Sequence, residues 1–399
     1  MLRNFFTLVA REFKLFYQNS TLFSVFILGP LVYGLLLGFL YQDGKVKDLP
    51  VIIVDQDFSP TSDQLKDMLS ETEIFKIAEI KRDKIHLEKD VIHYDASAVI
   101  VIPERFEANL LQGRYPEIEV YMNMTNLMTA NFASKSIQQT LGSFNAGVEM
   151  KALQRRGMNP SRAAASYEPV KVNYFKLYNS TGNYLVFMWP ALLAVVLQQV
   201  ILLAMAVSFA AEFEKKTFAK QFLTRTRAGF SSLLVKVIPI WVISIIHVFI
   251  FYCLHVFFKA EIPQGWFNFF VITALFVATA SFLGTMMSII IGDSLKATQI
   301  LMLVSTPAFL IGGFTWPAHA MPQAIQYLAD IIPLTPFLQG FKVLLMQNGD
   351  LSDIIPSLRH LSILLIVYCA MSYLFLKIKV KKMQKADNPE NTPSMTVVE

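Results

Sequence analysis

The chain has 399 residues, of which 54% are hydrophobic and only 16% are charged. Soluble domains carry about 25% charged residues, so this composition excludes an ordinary soluble protein and predicts several membrane spans. The net charge is +5, but residues 42–180 hold 17 basic and 19 acidic residues, a net charge of −2. The basic excess therefore belongs to the apolar parts of the chain, where it indicates membrane topology rather than nucleic-acid binding.

Residues 1–20 predict an amphipathic helix lying in the inner membrane interface, because apolar residues are interspersed with Arg3, Arg11 and Lys14 at helical spacing. A simpler interpretation is that this segment continues the first span. Polar residues around Asn19 can cap a new helix, and they favour two separate helices.

Six stretches of 17 to 29 residues lack Asp, Glu, Lys and Arg, and about 20 apolar residues suffice to cross a bilayer as a helix. We number these predicted spans 1 to 6, at residues 21–41, 183–211, 237–258, 266–292, 297–316 and 360–376. The fold class predicted is a polytopic α-helical membrane protein with six transmembrane helices. Spans 2 to 6 form a transmembrane domain over residues 183–379.

Residues 42–180, between spans 1 and 2, have the pattern of alternating strands and helices. Strands are predicted at 49–54, 75–80, 96–102 and 118–122, helices at 61–70, 84–90 and 104–111, and one long helix or two at 126–156. This pattern predicts an inserted α/β domain. Asp55 and Asp57 follow the first strand, where we expect turn and capping roles. His86 and His93 have no third ligand at a suitable spacing, so no metal site is predicted.

Basic residues in short loops collect on the cytoplasmic side of a membrane. One side of the predicted membrane domain carries 15 Lys and Arg residues, whereas the short loops of the other side carry only Lys259, Lys342 and Arg359. We therefore expect an inner-membrane protein with both termini in the cytoplasm, the 42–180 domain outside it, and a disordered cytoplasmic tail at 380–399.

Polar side chains within the spans are few, and such groups usually face a neighbouring helix or a cavity. For Gln198 we expect a helix–helix hydrogen bond, whereas Gln199 and His247 are candidates for the substrate path. Around the end of span 5, glycines and prolines interrupt the helical pattern over residues 312–340. This segment predicts a re-entrant hairpin or a helix at the outer interface.

The segment at residues 210–230, directly after span 2, mixes acidic, basic and apolar residues at helical spacing. A solvated cytoplasmic loop is the simpler interpretation. However, Phe213, Phe218 and Phe222 form an apolar stripe that needs a partner. We expect these aromatic side chains to be exposed and to dock on a soluble motor domain.

This segment resembles the region after the second span in permease subunits of type-2 ABC exporters, which carries an acidic–basic–Gly-Thr–apolar pattern ending in Thr-Pro. Lys216 and Arg225 stand where that pattern has Gly and Pro. Residues 51–62, 97–113 and 313–340 resemble further segments of the family, in the family's order. The resemblance identifies as candidates for ATPase coupling the residues Glu212, Glu214, Lys215, Thr217, Phe222, Leu223 and Thr224.

The resemblance implies the membrane subunit of an ATP-driven exporter for a drug, lipid or other amphiphile. The chain has no G-x-x-x-x-G-K-[ST] motif. We therefore expect that it is no enzyme, binds no cofactor, and relies on ATP hydrolysed by a separate ABC ATPase. Six spans imply a homodimer or a pair with a sister permease. Comparable family members also imply a periplasmic adaptor, an outer-membrane channel and membrane lipid as partners.

The main alternative is a receptor or scaffold whose outside domain binds a ligand or a partner protein. The sequence shows no cytoplasmic signalling domain, which weighs against this alternative. A secondary transporter usually needs buried acidic residues or inverted repeats, and the spans show neither. A membrane enzyme is the least favoured class because no catalytic set of residues is visible.

Overall fold

The computed structural model describes residues 2–159, 175–223, 229–260 and 265–386. The chain divides into two compact units. The helical unit consists of Met1–Gly44 with Leu177–Glu399, and the α/β unit consists of Lys45–Lys176. The α/β unit thus lies within the predicted domain at residues 42–180.

The helical unit begins with two separate helices, α1 (Leu2–Gln18) and α2 (Ser20–Tyr41). Asn19 stands between them and caps α2, because its side chain accepts a hydrogen bond from the Leu22 amide. The prediction of a distinct N-terminal helix is therefore confirmed. Leu8 and Phe16 of α1 are buried, whereas Phe6 is 66% exposed.

The α/β unit contains one four-stranded sheet in the order β2-β1-β3-β4. Strand β1 is parallel to β2 and to β3, and β4 is antiparallel to β3. The elements are β1 (Leu49–Asp55), α3 (Pro60–Ser70), β2 (Phe75–Lys81), α4 (Leu87–His93), β3 (Ala98–Ile102), α5 (Phe106–Leu111), β4 (Glu119–Met122) and α6 (Leu127–Arg155). Helices α4 and α5 begin three and two residues later than predicted, because His86 and Arg105 adopt left-handed φ values of +62° and +59°.

The central strands of this sheet are buried on both faces, as parallel strands usually are. Val51 and Ile53 pack on one side with residues of α3 and α6. Ile52 and Val54 pack on the other side with residues of α4. This period of two follows from strand geometry, in which successive side chains point to opposite faces.

Asp55, at the end of β1, has the structural role expected for it. Its buried carboxylate accepts hydrogen bonds from the amides of Asp57 and Phe58 and from the Ser62 hydroxyl, at 2.8–3.0 Å. The Lys66 ammonium lies 2.8 Å away. Burial opposes ionisation, but these donors more than offset it and hold the pKa of Asp55 below its ordinary value. Across the described ranges, no three His, Cys, Asp or Glu residues are grouped so that they could hold a metal ion.

The helical unit continues after the α/β unit with α7 (Tyr184–Phe187), α8 (Trp189–Glu214), a π-helix (Phe218–Leu223), α9 (Phe230–Phe257), α10 (Trp266–Ile291), α11 (Ser294–Ile311), a 3-10 helix (Ala318–Ala320), α12 (Gln323–Asp330), α13 (Leu334–Met346) and α14 (Ile355–Ala386). Six helices in the described residues are long and apolar enough to cross a membrane. They are α2, α7 with α8, α9, α10, α11 and α14, in agreement with the six predicted spans. The bent pair of α12 and α13 makes a seventh if it is counted as one span.

Helix α8 lies at the centre of the helical unit. Of its most apolar 18-residue window, 72% is buried, compared with 22% for α2 and for α11. Close approach to α10 is possible because position 284 is Gly: a Cβ there would lie 2.6 Å from the Cβ of Met205. In the predicted hairpin at 312–340, α12 and α13 meet at a bend of 82°.

Two boundaries differ from the prediction. Helix α9 begins at Phe230, seven residues before the predicted start of span 3, and so places Lys236 inside a helix and not in a loop. Helix α14 continues to Ala386, past the predicted start of a disordered tail at 380. Lys, Met and Gln in this stretch are good helix formers, and Pro389 follows the helix. Residues 387–399 of the predicted tail lie outside the described residues.

Candidate coupling site

Four charged side chains form a closed ring where α8 ends. Glu212, in the last turn of α8, lies 2.8 Å from Arg11 and 3.1 Å from Lys236. Glu12 lies 2.8 Å from each of the same two cations. We call Arg11, Glu12, Glu212 and Lys236 the charged ring. Each cation thus contacts both carboxylates, and the ring has no net charge.

The ring joins three helices that are far apart in sequence. Arg11 and Glu12 belong to α1, Glu212 to α8 and Lys236 to α9. The side chains of Glu212 and Lys236 are only 4% and 3% exposed. A buried charge without a partner is costly, so the pairings fix the interior of α1, the end of α8 and the first turns of α9 relative to one another. The Thr217 hydroxyl also donates a hydrogen bond to Glu212.

The π-helix after α8 packs against the ring through Phe222. The Lys236 ammonium lies 4.8 Å from the centre of the Phe222 ring, and the Arg11 guanidinium lies 5.5 Å from it. Both distances are within the range of cation–π attraction. Phe222 also stacks on Phe218, with 5.7 Å between ring centres, and Phe218 packs on Phe209 and Phe213.

The expectation that the aromatic stripe is exposed is wrong. Phe218 and Phe222 are both fully buried. Their partners are aromatic residues of α8 and two cations of the charged ring, all within this chain. These rings therefore anchor the π-helix to the helical unit, and they are not available as a surface for a motor domain.

The exposed part of the site is the short turn with which α8 ends. We call Glu214, Lys215 and Lys216 the exposed turn, since all three side chains are exposed. Glu214 accepts hydrogen bonds from the amide and the hydroxyl of Ser294, at 2.6 and 3.0 Å. Ser294 is the first residue of α11, so the turn is also tied to the fifth span. The negative charge of Glu214 also interacts favourably with the positive end of the α11 helix dipole.

Lys216 adopts a φ of +54°, in the left-handed region where glycine is the least costly residue. The type-2 exporter pattern has Gly at this position. The structure thus gives a physical reason for that glycine, and Lys216 retains the turn at a conformational cost.

The remaining predicted coupling residues lie near the exposed turn or outside the described residues. Thr217 precedes the π-helix, and Leu223 is its last residue. The backbone of Leu223 is described but its side chain is not, and Thr224 lies outside the described residues. The described coupling residues Glu212, Glu214, Lys215, Thr217 and Phe222 are therefore brought together in one region. Their roles in coupling stay predictions.

The two predicted substrate-path residues are separate from this site. His247 is fully buried, and its Nε2 lies 2.6 Å from the carbonyl oxygen of Phe26 in α2. Gln199 is half-buried. The adjacent Gln198 is 1% exposed and donates a hydrogen bond to the Ser305 hydroxyl of α11, at 3.3 Å. The helix–helix role of Gln198 is confirmed, whereas a substrate role for Gln199 or His247 stays a prediction.

Sequence reasoning did not find three members of the charged ring. In the sequence, Arg11 and Lys236 belong with the other basic residues on one side of the membrane domain, and no motif surrounds Glu12. One signal was present: Glu12 is the only acidic residue in the first 42 positions. A single carboxylate on a basic N-terminal helix indicates a specific partner, but the periodicity of the chain cannot show which one.

Comparison with known proteins gives the family. No individual curated protein matches the chain at a significant level. A sequence profile described as ABC-2 family transporter protein matches residues 20–374. The match extends from the first residue of α2 into α14 and includes both units, the π-helix and the exposed turn. The chain therefore belongs to the ABC-2 family of transporter membrane proteins.

Proposed function

We propose that this chain is the permease subunit of an ATP-driven exporter that moves an amphiphile, such as a drug or lipid, outward across the inner membrane. The observation that carries this proposal is the charged ring next to the exposed turn, in a member of the ABC-2 family. A separate ABC ATPase hydrolyses the ATP, since the chain itself has no phosphate-binding motif of that kind.

Coupling begins at the exposed turn. Glu214, the last residue of α8, and Lys215 and Lys216, which follow it, are exposed charged groups, and charged surface groups suit a transient, reversible contact with a soluble domain. When the ATPase closes, it displaces this turn. Glu214 carries the displacement to α11 through Ser294.

The charged ring carries the same displacement to the other spans. Because Glu212 is fixed to both Arg11 and Lys236, a shift of the end of α8 moves α1 and the start of α9 with it. Phe222 links the π-helix to the same two cations. The ring therefore converts a local push into a concerted tilt of several helices, which is the rigid-body type of conformational change.

The assembly we propose contains two permease chains, as a homodimer or as a pair with a sister permease, and two ATPases. Both termini lie in the cytoplasm and the α/β unit lies outside it, in accordance with the bias of basic residues toward one side. An outside unit of this size is suited to bind a periplasmic adaptor, which leads to an outer-membrane channel.

Two measurements test this proposal. A tagged chain purified from its native membrane is expected to bring a stoichiometric ATPase that contains the G-x-x-x-x-G-K-[ST] motif. A reporter fused near Asn123 in the α/β unit is expected to be active only outside the cytoplasm. Purification without an ATPase favours the receptor or scaffold function. A reporter that is active in the cytoplasm inverts the topology and overturns the coupling assignment.

A further inference from the structure

A groove of about 300 Å³ runs between α9 and α10, away from the charged ring. Its lining includes Trp241, Ser244 and Ile245 of α9, and Phe270, Thr273 and Val277 of α10. Ile245 and Phe270 are 56% and 50% exposed, so the groove opens on the outer surface of the helical unit. Small-molecule sites begin at about this volume.

Three residues that line this groove each carry a buried polar atom with no hydrogen-bond partner in the described part of the chain. These atoms are the indole nitrogen Nε1 of Trp241 and the hydroxyls of Ser244 and Thr273. Ser244 is 3% exposed and Thr273 is 4% exposed. A buried polar group without a partner is costly, and three such groups on one groove point to a ligand that supplies the missing partners.

Other Ser and Thr hydroxyls of α10 find a hydrogen-bond acceptor within their own helix. Thr279, Ser281 and Thr285 each donate to the carbonyl four residues earlier in their own helix, at 2.7–2.8 Å. Such back-bonding is the usual way in which a helix satisfies a Ser or Thr hydroxyl in an apolar environment. Thr273 and Ser244 lack this bond and instead line the groove.

The chemistry of the lining defines the ligand class. Among the described residues, no charged side chain lines the groove, so a charged ligand would be left without a counter-charge in an apolar setting. The indole N–H can only donate, and each hydroxyl can donate or accept. The complementary ligand therefore carries at least one hydrogen-bond acceptor on an apolar body. From Phe270 to Val277 a helix rises about 10 Å, which sets the length of that body.

We propose that this groove binds a neutral, lipophilic molecule with a hydrogen-bond acceptor near its middle, which enters sideways from the bilayer. The acyl chain of a bulk phospholipid is not suitable, because a hydrocarbon chain offers no acceptor. A helix of a second copy of this chain is the other possible occupant, and the experiment below separates it. The proposal goes beyond the coupling function and does not depend on an ATPase.

Benzophenone is a suitable probe because it is a neutral aromatic ketone with a central acceptor, and ultraviolet light attaches it to nearby C–H groups. The full chain is reconstituted in phospholipid nanodiscs without an ATPase, titrated with benzophenone and irradiated. The labelled peptides are then mapped. We expect saturable labelling in α9 around Ser244 and in α10 around Thr273, and linear, non-saturable labelling on other membrane-exposed helices.

The decisive comparison is between two double variants. Ser244→Ala with Thr273→Val removes both unpartnered hydroxyls and is expected to weaken saturable labelling about tenfold, since two hydrogen bonds are lost. Ser281→Ala with Thr285→Val removes two hydroxyls that bond within α10 and is expected to leave labelling unchanged. Benzophenone is also expected to raise the Tm of the wild-type chain and of the control, but not that of the groove variant.

Three results would overturn the proposal. Labelling of the groove that never saturates would show contact with bulk lipid only. Equal labelling of the two double variants would show that the hydroxyls do not recognise the ketone. Saturable groove labelling in nanodiscs that hold one copy of the chain, but none in nanodiscs that hold two copies, would show that a second copy of the chain occupies it.

Discussion

The Lys236 ammonium lies 3.1 Å from a carboxylate oxygen of Glu212, although 24 residues separate them and both side chains are almost completely buried. This pair connects the end of one span to the start of the next. With Arg11 and Glu12 it forms a ring in which every charge has two opposite neighbours. A buried pair of this kind rarely adds much stability, but removing one partner is strongly destabilising.

Removing Lys236 therefore tests the ring. We expect Lys236→Met to destabilise the chain by about 3 kcal/mol, because two carboxylates then share only Arg11. The measurement is thermal unfolding of the purified chain in detergent. Lys296 is 71% exposed, so the control Lys296→Met should change Tm very little.

A second variant distinguishes charge pairing from simple packing at this position. Glu212→Gln combined with Lys236→Met leaves Arg11 and Glu12 as a matched pair. We expect this double variant to recover most of the stability that Lys236→Met loses. A double variant that is as unstable as the sum of its single changes would mean that the two charges do not interact.

Lys216 provides a prediction in the opposite direction. Its φ of +54° is costly for a residue with a side chain, so Lys216→Gly is expected to stabilise the chain by up to about 1 kcal/mol. Lys215 has an ordinary helical φ of −78°, and Lys215→Gly is expected to destabilise it slightly. If both glycine variants lower Tm, the turn does not have the conformation described.

Most of the fold could be predicted because its signals are local. The spans follow from the length of uncharged stretches, and the strands follow from runs such as that before Asp55. The charged ring could not be predicted, since Arg11, Glu212 and Lys236 meet only after three helices have packed. A span that is assigned from hydropathy stops at the first charged residue, so hydropathy assigns Lys236 to a loop. The partner of Phe222 was missed for a related reason: a periodic stripe shows that a partner exists, but not whether it belongs to the same chain.

Because Phe222 is fully buried, its removal is expected to lower the stability of the chain. Phe222→Ala should lower stability by about 3–5 kcal/mol, because it leaves a cavity beneath two cations. Phe222→Leu keeps most of the packing and loses only the attraction of Arg11 and Lys236 to the aromatic side chain, which is about 1 kcal/mol. Expression yield and Tm of the two variants provide the measurement, and an unchanged Tm for Phe222→Leu would contradict a role for the cations.

Asp55 makes the α/β unit sensitive to acid. Its pKa in the folded chain lies below the ordinary value of 3.8. The carboxylate therefore contributes stability above that value, and this contribution is lost as pH falls through the lower, folded-state pKa. We expect Asp55→Asn to lower the hydrogen-exchange protection of β1 and β3 amides at pH 7 in the full chain. The difference from wild type should shrink as pH falls below 3.8. A difference that is constant with pH would show that the charge of Asp55 does not matter.

The central claim is that the exposed turn receives motion from a separate ATPase. The most direct measurement is ATP hydrolysis by the purified complex in nanodiscs, compared between wild type and Glu214→Ala with Lys215→Ala. Lys381, on the exposed face of α14, provides the control Lys381→Ala. We expect the turn variant to keep its fold but to show a rate of permease-dependent ATP hydrolysis about tenfold lower than that of wild type. The control is expected to hydrolyse ATP at the wild-type rate. Unchanged hydrolysis in a correctly folded turn variant would contradict the role of the exposed turn in receiving this motion.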